Sequence, residues 1–162
     1  MIFVTLGSQK FQFNRVLIAL DEQILQGKIT DPVFAQTGYS DYQPKKYEYK
    51  NFLSRDEFSE AEDVSDIVIS HGGSGAIIGA LKKRKKVIAI PRLAKYGEHV
   101  DDHQLQLLEQ FKDLDMIYTC LNCDDIWRAI NEVKTTDYKI YQSNTMSIVK
   151  SIEQFISEDM AK

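Results

Sequence analysis

Long apolar runs, cysteine and an imbalance of charge are all scarce in this chain of 162 residues. No apolar stretch approaches the roughly 20 residues that a bilayer-spanning helix needs. The start, Met1-Ile2-Phe3-Val4-Thr5-Leu6-Gly7, lacks the basic lead and extended apolar core of a signal peptide. Together these features predict a cytoplasmic protein whose membrane contact is peripheral or made through a partner. A net charge of −4 leaves no electrostatic footprint for nucleic acid. The one basic run, Lys82-Lys83-Arg84-Lys85-Lys86, reads as a solvated helix end complementing its dipole, with a membrane-facing role as the lesser alternative. Cys120 and Cys123 are the only cysteines. A structural zinc ion would need further ligands, and no second cysteine pair or nearby histidine pair supplies them. Asp124 and Asp125 would raise the thiol pKa values rather than lower them, so two reduced thiols in a loop are expected rather than a redox pair. Internal repeats and low-complexity linkers are also absent. Residues 1–162 are therefore read as a single domain, long enough to bury a core.

Short β-branched runs alternate with longer stretches of helical period. Strands are expected over Ile2–Leu6, Pro32–Gln36, Tyr47–Phe52, Asp66–Ser70, Val87–Ile90 and Met116–Tyr118. Helices are expected over Phe11–Gln26, Asp56–Asp63, Ala76–Lys83, Val100–Phe111 and Asp124–Val133. Apolar, non-alternating strands separated by helices predict an α/β fold, a parallel sheet covered on both faces. At residues 141–158 the apolar set Tyr141, Ile148, Val149, Ile152, Phe155 and Ile156 gives a further helix one apolar face. Packing on its own sheet is the first expectation for that face, and docking of another polypeptide the second.

The densest signal is Ser70-His71-Gly72-Gly73-Ser74-Gly75-Ala76, a glycine turn between a strand and a helix. Glycine lets backbone amides approach an anion closely, and a helix N-terminus offers unpaired N–H groups with partial positive charge. The spacing fits neither the G-x-G-x-x-G fingerprint nor a P-loop. In parallel sheets, ligands sit at the carboxyl ends of the strands. That rule gathers Gly7-Ser8, His71–Gly75 and Pro91–His103 along one edge.

Together, Thr5-Leu6-Gly7-Ser8, His71-Gly72-Gly73-Ser74-Gly75 and the segment from Pro91 through Glu98-His99-Val100-Asp101-Asp102-His103-Gln104 resemble the C-terminal, donor-binding half of the family 28 GT-B glycosyltransferases. The nearest likeness is to stand-alone halves, the Alg13-like subunits and the PssE- or EpsF-like subunits of bacterial polysaccharide clusters. The resemblance implies a Rossmann-like half of a GT-B enzyme. It implies that Gly7, Ser8, Gly72, Gly73, Ser74 and Gly75 hold the diphosphate of a UDP-sugar, that Phe52 and Leu53 meet uracil, and that Asp102, His103 and Gln104 contact the sugar. One departure stands out. Family members often carry a ribose-binding glutamate on the helix after the glycine loop, and Gly79 occupies that position here.

The implied reaction moves a hexose, galactose in β-1,4 linkage by the capsule-like resemblance, from UDP to a lipid-linked saccharide in capsular or exopolysaccharide synthesis. N-acetylglucosamine is the alternative donor sugar. No cofactor or metal is implied, since no Asp-x-Asp motif occurs and backbone amides can stabilise the leaving UDP. Arg92 or Lys95 could add charge to that site. The general base is sought in His71 or Glu98, or in the opposing half that this chain lacks. That missing half implies a membrane-anchored PssD- or Alg14-like partner holding the protein at the inner face of the plasma membrane. Against the enzyme stands a second class, a non-catalytic nucleotide-sugar-binding regulatory module, with Gly79 as its clue. A phosphohydrolase is weaker still, because no nucleophile sits in a suitable elbow.

Overall fold

The computed structural model describes residues 1–160, apart from the side chains of His103 and of residues 157–160. Its six strands are β1 (Ile2–Thr5), β2 (Val33–Gln36), β3 (Glu48–Lys50), β4 (Ile67–Ser70), β5 (Lys86–Ala89) and β6 (Tyr118–Thr119). Six helices accompany them, α1 (Asn14–Leu25), α2 (Arg55–Val64), α3 (Ser74–Lys82), α4 (His103–Asp113), α5 (Ile126–Thr135) and α6 (Thr145–Met160). All strand pairings are parallel and the order is β3-β2-β1-β4-β5-β6, which is Rossmann-like. Every residue of β1 and of β4 is buried, the apolar ones as strands covered on both faces require and Thr5 and Ser70 at their carboxyl ends with them.

Side chains alternate across the sheet, so the core divides in two. Ile2, Val4, Ile67, Ile69 and Ile88 meet α1 and α5 on one face. Phe3, Val68 and Val87 meet α2, α3 and α4 on the other. The chain builds outward from β1 to β3, then returns to place β4 against β1, with Ile2 opposite both Val33 and Ile67. The segments leaving β1 and β4 therefore diverge to opposite faces. Between them a crevice opens at the carboxyl end of the sheet.

Several features depart from the sequence reading. Helix α3 begins at Ser74 rather than Ala76, which draws Ser74 and Gly75 into its first turn. Helix α4 begins at His103 rather than Val100, and Val100 is an exposed loop residue. Helix α6 does not pack on its own sheet: Met146, Ile148, Val149, Ile152, Phe155 and Ile156 are all exposed, while Tyr141 precedes the helix and packs on the second cluster. The other five helices already cover both faces of the sheet. The basic run is more internal than expected. The Lys83 ammonium pairs with Glu62 and Asp63, Lys85 donates to the carbonyls of Asp63 and Ser65, and Lys86 donates to those of Lys134 and Thr136. These lysines close the carboxyl ends of α2 and α5.

Loop order on the β2–β3 side depends on one buried carboxylate. Asp21 on α1 is 6% exposed and accepts hydrogen bonds from the Tyr42 hydroxyl and the amides of Lys45 and Lys46, each at 2.8 Å. Replacing Asp21 with Ala leaves three donors without an acceptor. Urea unfolding of Asp21→Ala should show a loss of about 2 kcal/mol or more; a midpoint equal to that of the unsubstituted protein would contradict this role.

Candidate functional site

At the crevice between β1 and β4 lies a cavity of about 450 Å³, lined by Gly7, Ser8, Gln9, His71, Gly73 and Gly75 and flanked by Gln36 and Phe58. The turn after β1 and the turn after β4 form its two walls. Between them stands the imidazole of His71, with Nδ1 3.3 Å from the Thr5 carbonyl. The carbonyl selects the tautomer in which Nδ1 donates. A Cβ added to Gly7 would lie 2.7 Å from Cε1 and Nε2 of that ring, and one added to Gly73 would lie 2.5 Å from Nε2. Gly7 also has φ 74°, a left-handed conformation that side chains disfavour. These two glycines are required by the histidine. Gly75 differs, because a Cβ there meets nothing within 4 Å and faces open space.

The amino end of α3 supplies the cavity's chemistry. Gly73 is its N-cap, and no side chain caps the helix. The first-turn N–H groups therefore keep their unmet hydrogen-bonding capacity and the positive end of the helix dipole. Such an end is suited to an anion.

Below the β1 turn lies Arg92, only 1% exposed, donating to the carbonyls of Leu6 and Glu98. Its guanidinium stacks over Phe13 at 5.5 Å, and Nε has no hydrogen-bond partner among the described residues. Burial depresses its pKa, opposed by the charge of Glu98. Glu98 is 1% exposed, with Oε1 2.7 Å from Nε of Arg15 and Oε2 accepting from the Leu93 amide at 3.0 Å. Both carboxylate oxygens are thus occupied in holding the loop after β5. Asp102 accepts from the Ala94 amide and Gln104 from the Arg92 amide, each at 2.9 Å. The side chain of His103 lies outside the described residues.

Phe52 and Leu53 do not line this cavity. Leu53 packs on the second core cluster. Phe52 is half exposed and meets Tyr39 edge-on, with ring centroids 5.1 Å apart, at the carboxyl ends of β3 and β2. Tyr39, Gln36 and Phe58 are neighbours that sequence reasoning missed. Their signal was positional only, since the first two follow or end β2 and Phe58 lies in the first turn of α2. Gly79 acquires a structural reason. Glu62, 5% exposed, reaches from α2 to within 3.5 Å of a Cβ at that site, and a glutamate there would set a second carboxylate against it. A larger cavity, of about 760 Å³, lies toward the amino end of β2 among Ile29, Pro32, Val33, Leu53 and Val64. It is mostly apolar and contains none of the glycine turns.

Cys120 and Cys123 are free and buried. Burial, then the neighbouring Cys123 and Asp125, push the Cys120 thiol up to about 12; the Cys123 thiol is also raised, chiefly by burial. Neither has thiolate character. Among the described residues no group of His, Cys, Asp and Glu is placed to hold a metal ion, and no helix is long and apolar enough to cross a membrane.

Burial, reinforced by the charge of Arg92 and opposed by the Thr5 carbonyl, lowers the His71 pKa to about 4. Folded His71 is neutral at pH 7. As pH falls below 6.5 the unfolded chain takes up a proton that the folded chain refuses until about pH 4, so stability declines through that window. The expected contribution is a loss of about 2 kcal/mol between pH 7 and pH 5. Urea titrations at both values should show it in the unsubstituted protein and not in His71→Gln. An equal pH dependence in the two would contradict the buried neutral imidazole.

Comparison with known proteins agrees with this architecture. The calicheamicin glycosyltransferase CalG4 superimposes with a TM-score of 0.60 at 17% identity, over 84% of this chain and 34% of its own. The solution structure of ALG13 gives a TM-score of 0.59 at 18% identity, over 88% and 89% of the two chains. In sequence, the UDP-N-acetylglucosamine transferase subunit ALG13 of Saccharomyces cerevisiae is 34% identical over 58 residues, which cover 36% of this chain and 27% of that protein. The chain thus spans about a third or less of CalG4 and of the yeast protein. The family model described as glycosyltransferase family 28 C-terminal domain matches residues 1–158, and the chain belongs to that family.

Proposed function

We propose that this protein is the donor-binding subunit of an inverting glycosyltransferase, moving a hexose from a UDP-sugar to a lipid-linked saccharide acceptor without a metal ion or other cofactor. The observation that carries this reading is the uncapped amino end of α3 opening into the cavity between β1 and β4. A diphosphate seated there accepts hydrogen bonds from the first-turn amides, with Ser74 and Ser8 as side-chain donors. Charge that develops on the leaving UDP meets dipoles already in place. The buried guanidinium of Arg92 adds positive potential beneath the β1 turn.

The donor sugar is galactose in this reading, transferred in β-1,4 linkage during capsular or exopolysaccharide synthesis, as the resemblance to bacterial polysaccharide subunits implies. The name of the yeast relative supports a second donor, UDP-N-acetylglucosamine. Asp102, His103 and Gln104 are the sugar-contacting residues, and the Phe52–Tyr39 pair offers an exposed aromatic surface for the uracil. A single cleft wall cannot enclose the reaction, so a membrane-anchored partner of the PssD or Alg14 type supplies the other and holds the enzyme at the cytoplasmic face of the membrane. The exposed apolar face of α6 is the docking element for that partner.

Isothermal titration with UDP tests the seat. Gly75→Val should fold normally, since its side chain enters open space, yet lose at least about tenfold in UDP affinity, equivalent to 1.4 kcal/mol. Unchanged affinity would overturn the placement of the diphosphate. For the partner, Ile152→Asp/Phe155→Asp should abolish co-purification with a co-expressed membrane subunit while leaving UDP affinity intact. Retained co-purification would exclude α6 as the docking element.

A further inference from the structure

Transfer with inversion needs a base on the acceptor hydroxyl, and the described side chains differ sharply in fitness for it. His71 is wedged between Gly7 and Gly73. Glu98 has both oxygens engaged and is closed to solvent. His99, on the loop between β5 and α4, is arranged differently. Its Nδ1 lies 3.1 Å from Oδ1 of Asp101 and 3.1 Å from the Asp101 carbonyl. With the proton on Nδ1 the ring donates to these two oxygens; in the other tautomer Nδ1 accepts from the Asp101 amide at 3.3 Å, and the negative charge of the Asp101 carboxylate favours the first. Nε2 then carries the lone pair, and it has no hydrogen-bond partner among the described residues.

The loop that carries this dyad is fixed against the cleft. The His99 ring packs on Phe11 at 5.5 Å, just beyond the β1 turn, and the Gln12 side-chain amide donates to the Tyr96 carbonyl at 2.9 Å. The imidazole side chain is 16% exposed, so it is held but not sealed. Around it stand Asp101, the Glu98–Arg15 ion pair and, within electrostatic reach, His71. Through Phe11, His99 adjoins the segment that follows the β1 turn, whereas the cavity itself is lined by the β1 turn, His71 and the start of α3.

We infer that His99 is the general base of this chain and Asp101 its positioning residue. The inference rests on the glycosyltransferase reading above. In the step, Nε2 of His99 takes the proton of the acceptor hydroxyl as that oxygen forms its bond to the anomeric carbon. The bond from that carbon to the diphosphate oxygen breaks on the opposite face, and its electron pair leaves with UDP. The proton remains on the imidazolium, stabilised by the Asp101 carboxylate, until solvent removes it. Asp101 thus does for His99 what a triad carboxylate does for its histidine, fixing tautomer and orientation.

The test uses the chain co-expressed with its membrane partner. UDP release is followed from UDP-galactose and UDP-N-acetylglucosamine with glucose on a polyprenyl diphosphate as acceptor. His99→Gln should lower kcat by about 10²–10⁴-fold and abolish the acid limb of the pH–rate profile, with UDP affinity changed less than about twofold. Asp101→Asn should lower kcat less while leaving KM unchanged, and Asp101→Glu should recover part of the loss. A kcat for His99→Gln within about threefold of the unsubstituted complex, or loss of UDP binding along with activity, would overturn the assignment. Absence of turnover in the unsubstituted complex would instead overturn the reading on which it rests.

Discussion

The insertion of the His71 imidazole between Gly7 and Gly73 sets the geometry of the cleft. The bond from the His71 amide to the Thr5 carbonyl joins the two turns at their base, and beyond it they leave the sheet toward opposite faces. One aromatic ring, tied to the Thr5 carbonyl, acts as the spacer. The turns can close on it only because neither carries a side chain at the contact. Gly38 extends the same constraint outward, since a Cβ there would lie 2.6 Å from the Gly7 carbonyl. The ring also stays neutral at pH 7, so it brings no full charge into a site built from partial ones.

Around this spacer a layer of buried polar groups fixes the remaining walls. Arg92 fastens the β1 turn from below, Glu98 and Arg15 fasten the loop after β5, and Asp102 and Gln104 join that loop to the start of α4. A buried pair such as Arg15–Glu98 adds little to stability against an apolar alternative, but removing one partner leaves an uncompensated charge. Its value here is positional. The same loop carries His99 and Asp101 at its outer edge, so the groups that hold the wall and the groups assigned to proton transfer belong to one continuous segment.

The sequence made the sheet legible because β1, β4 and β5 are short, apolar and free of alternation, as strands covered on both faces must be. The glycine turn was legible too, as a strand, glycines and a helix in that order, although tight packing also accounts for Gly7 and Gly73, since both close on the His71 ring. Burial of charge was not. Arg92 and Glu98 are each 1% exposed, against every expectation for their type, and only tertiary partners explain it. The start of α4 was misread because Val100 suited an apolar helical pattern while facing solvent. Glu62 on α2 stands 3.5 Å from where a Cβ of residue 79 would lie on α3, an approach across intervening sequence that leaves no local trace. Helix α6 shows the same limit from the other direction: its apolar face was evident, but whether that face was covered depended on how much of the sheet five other helices had already taken.

The central claim is that the ligand enters between β1 and β4, and not at the larger apolar cavity near the amino end of β2. Titrating isotope-labelled protein with UDP and following backbone amide shifts separates the two directly. The account predicts the largest changes at Gly7, Ser8, Gly73, Ser74 and Gly75. Unmoved resonances there, with the largest changes at Ile29, Val33 and Leu53, would contradict it.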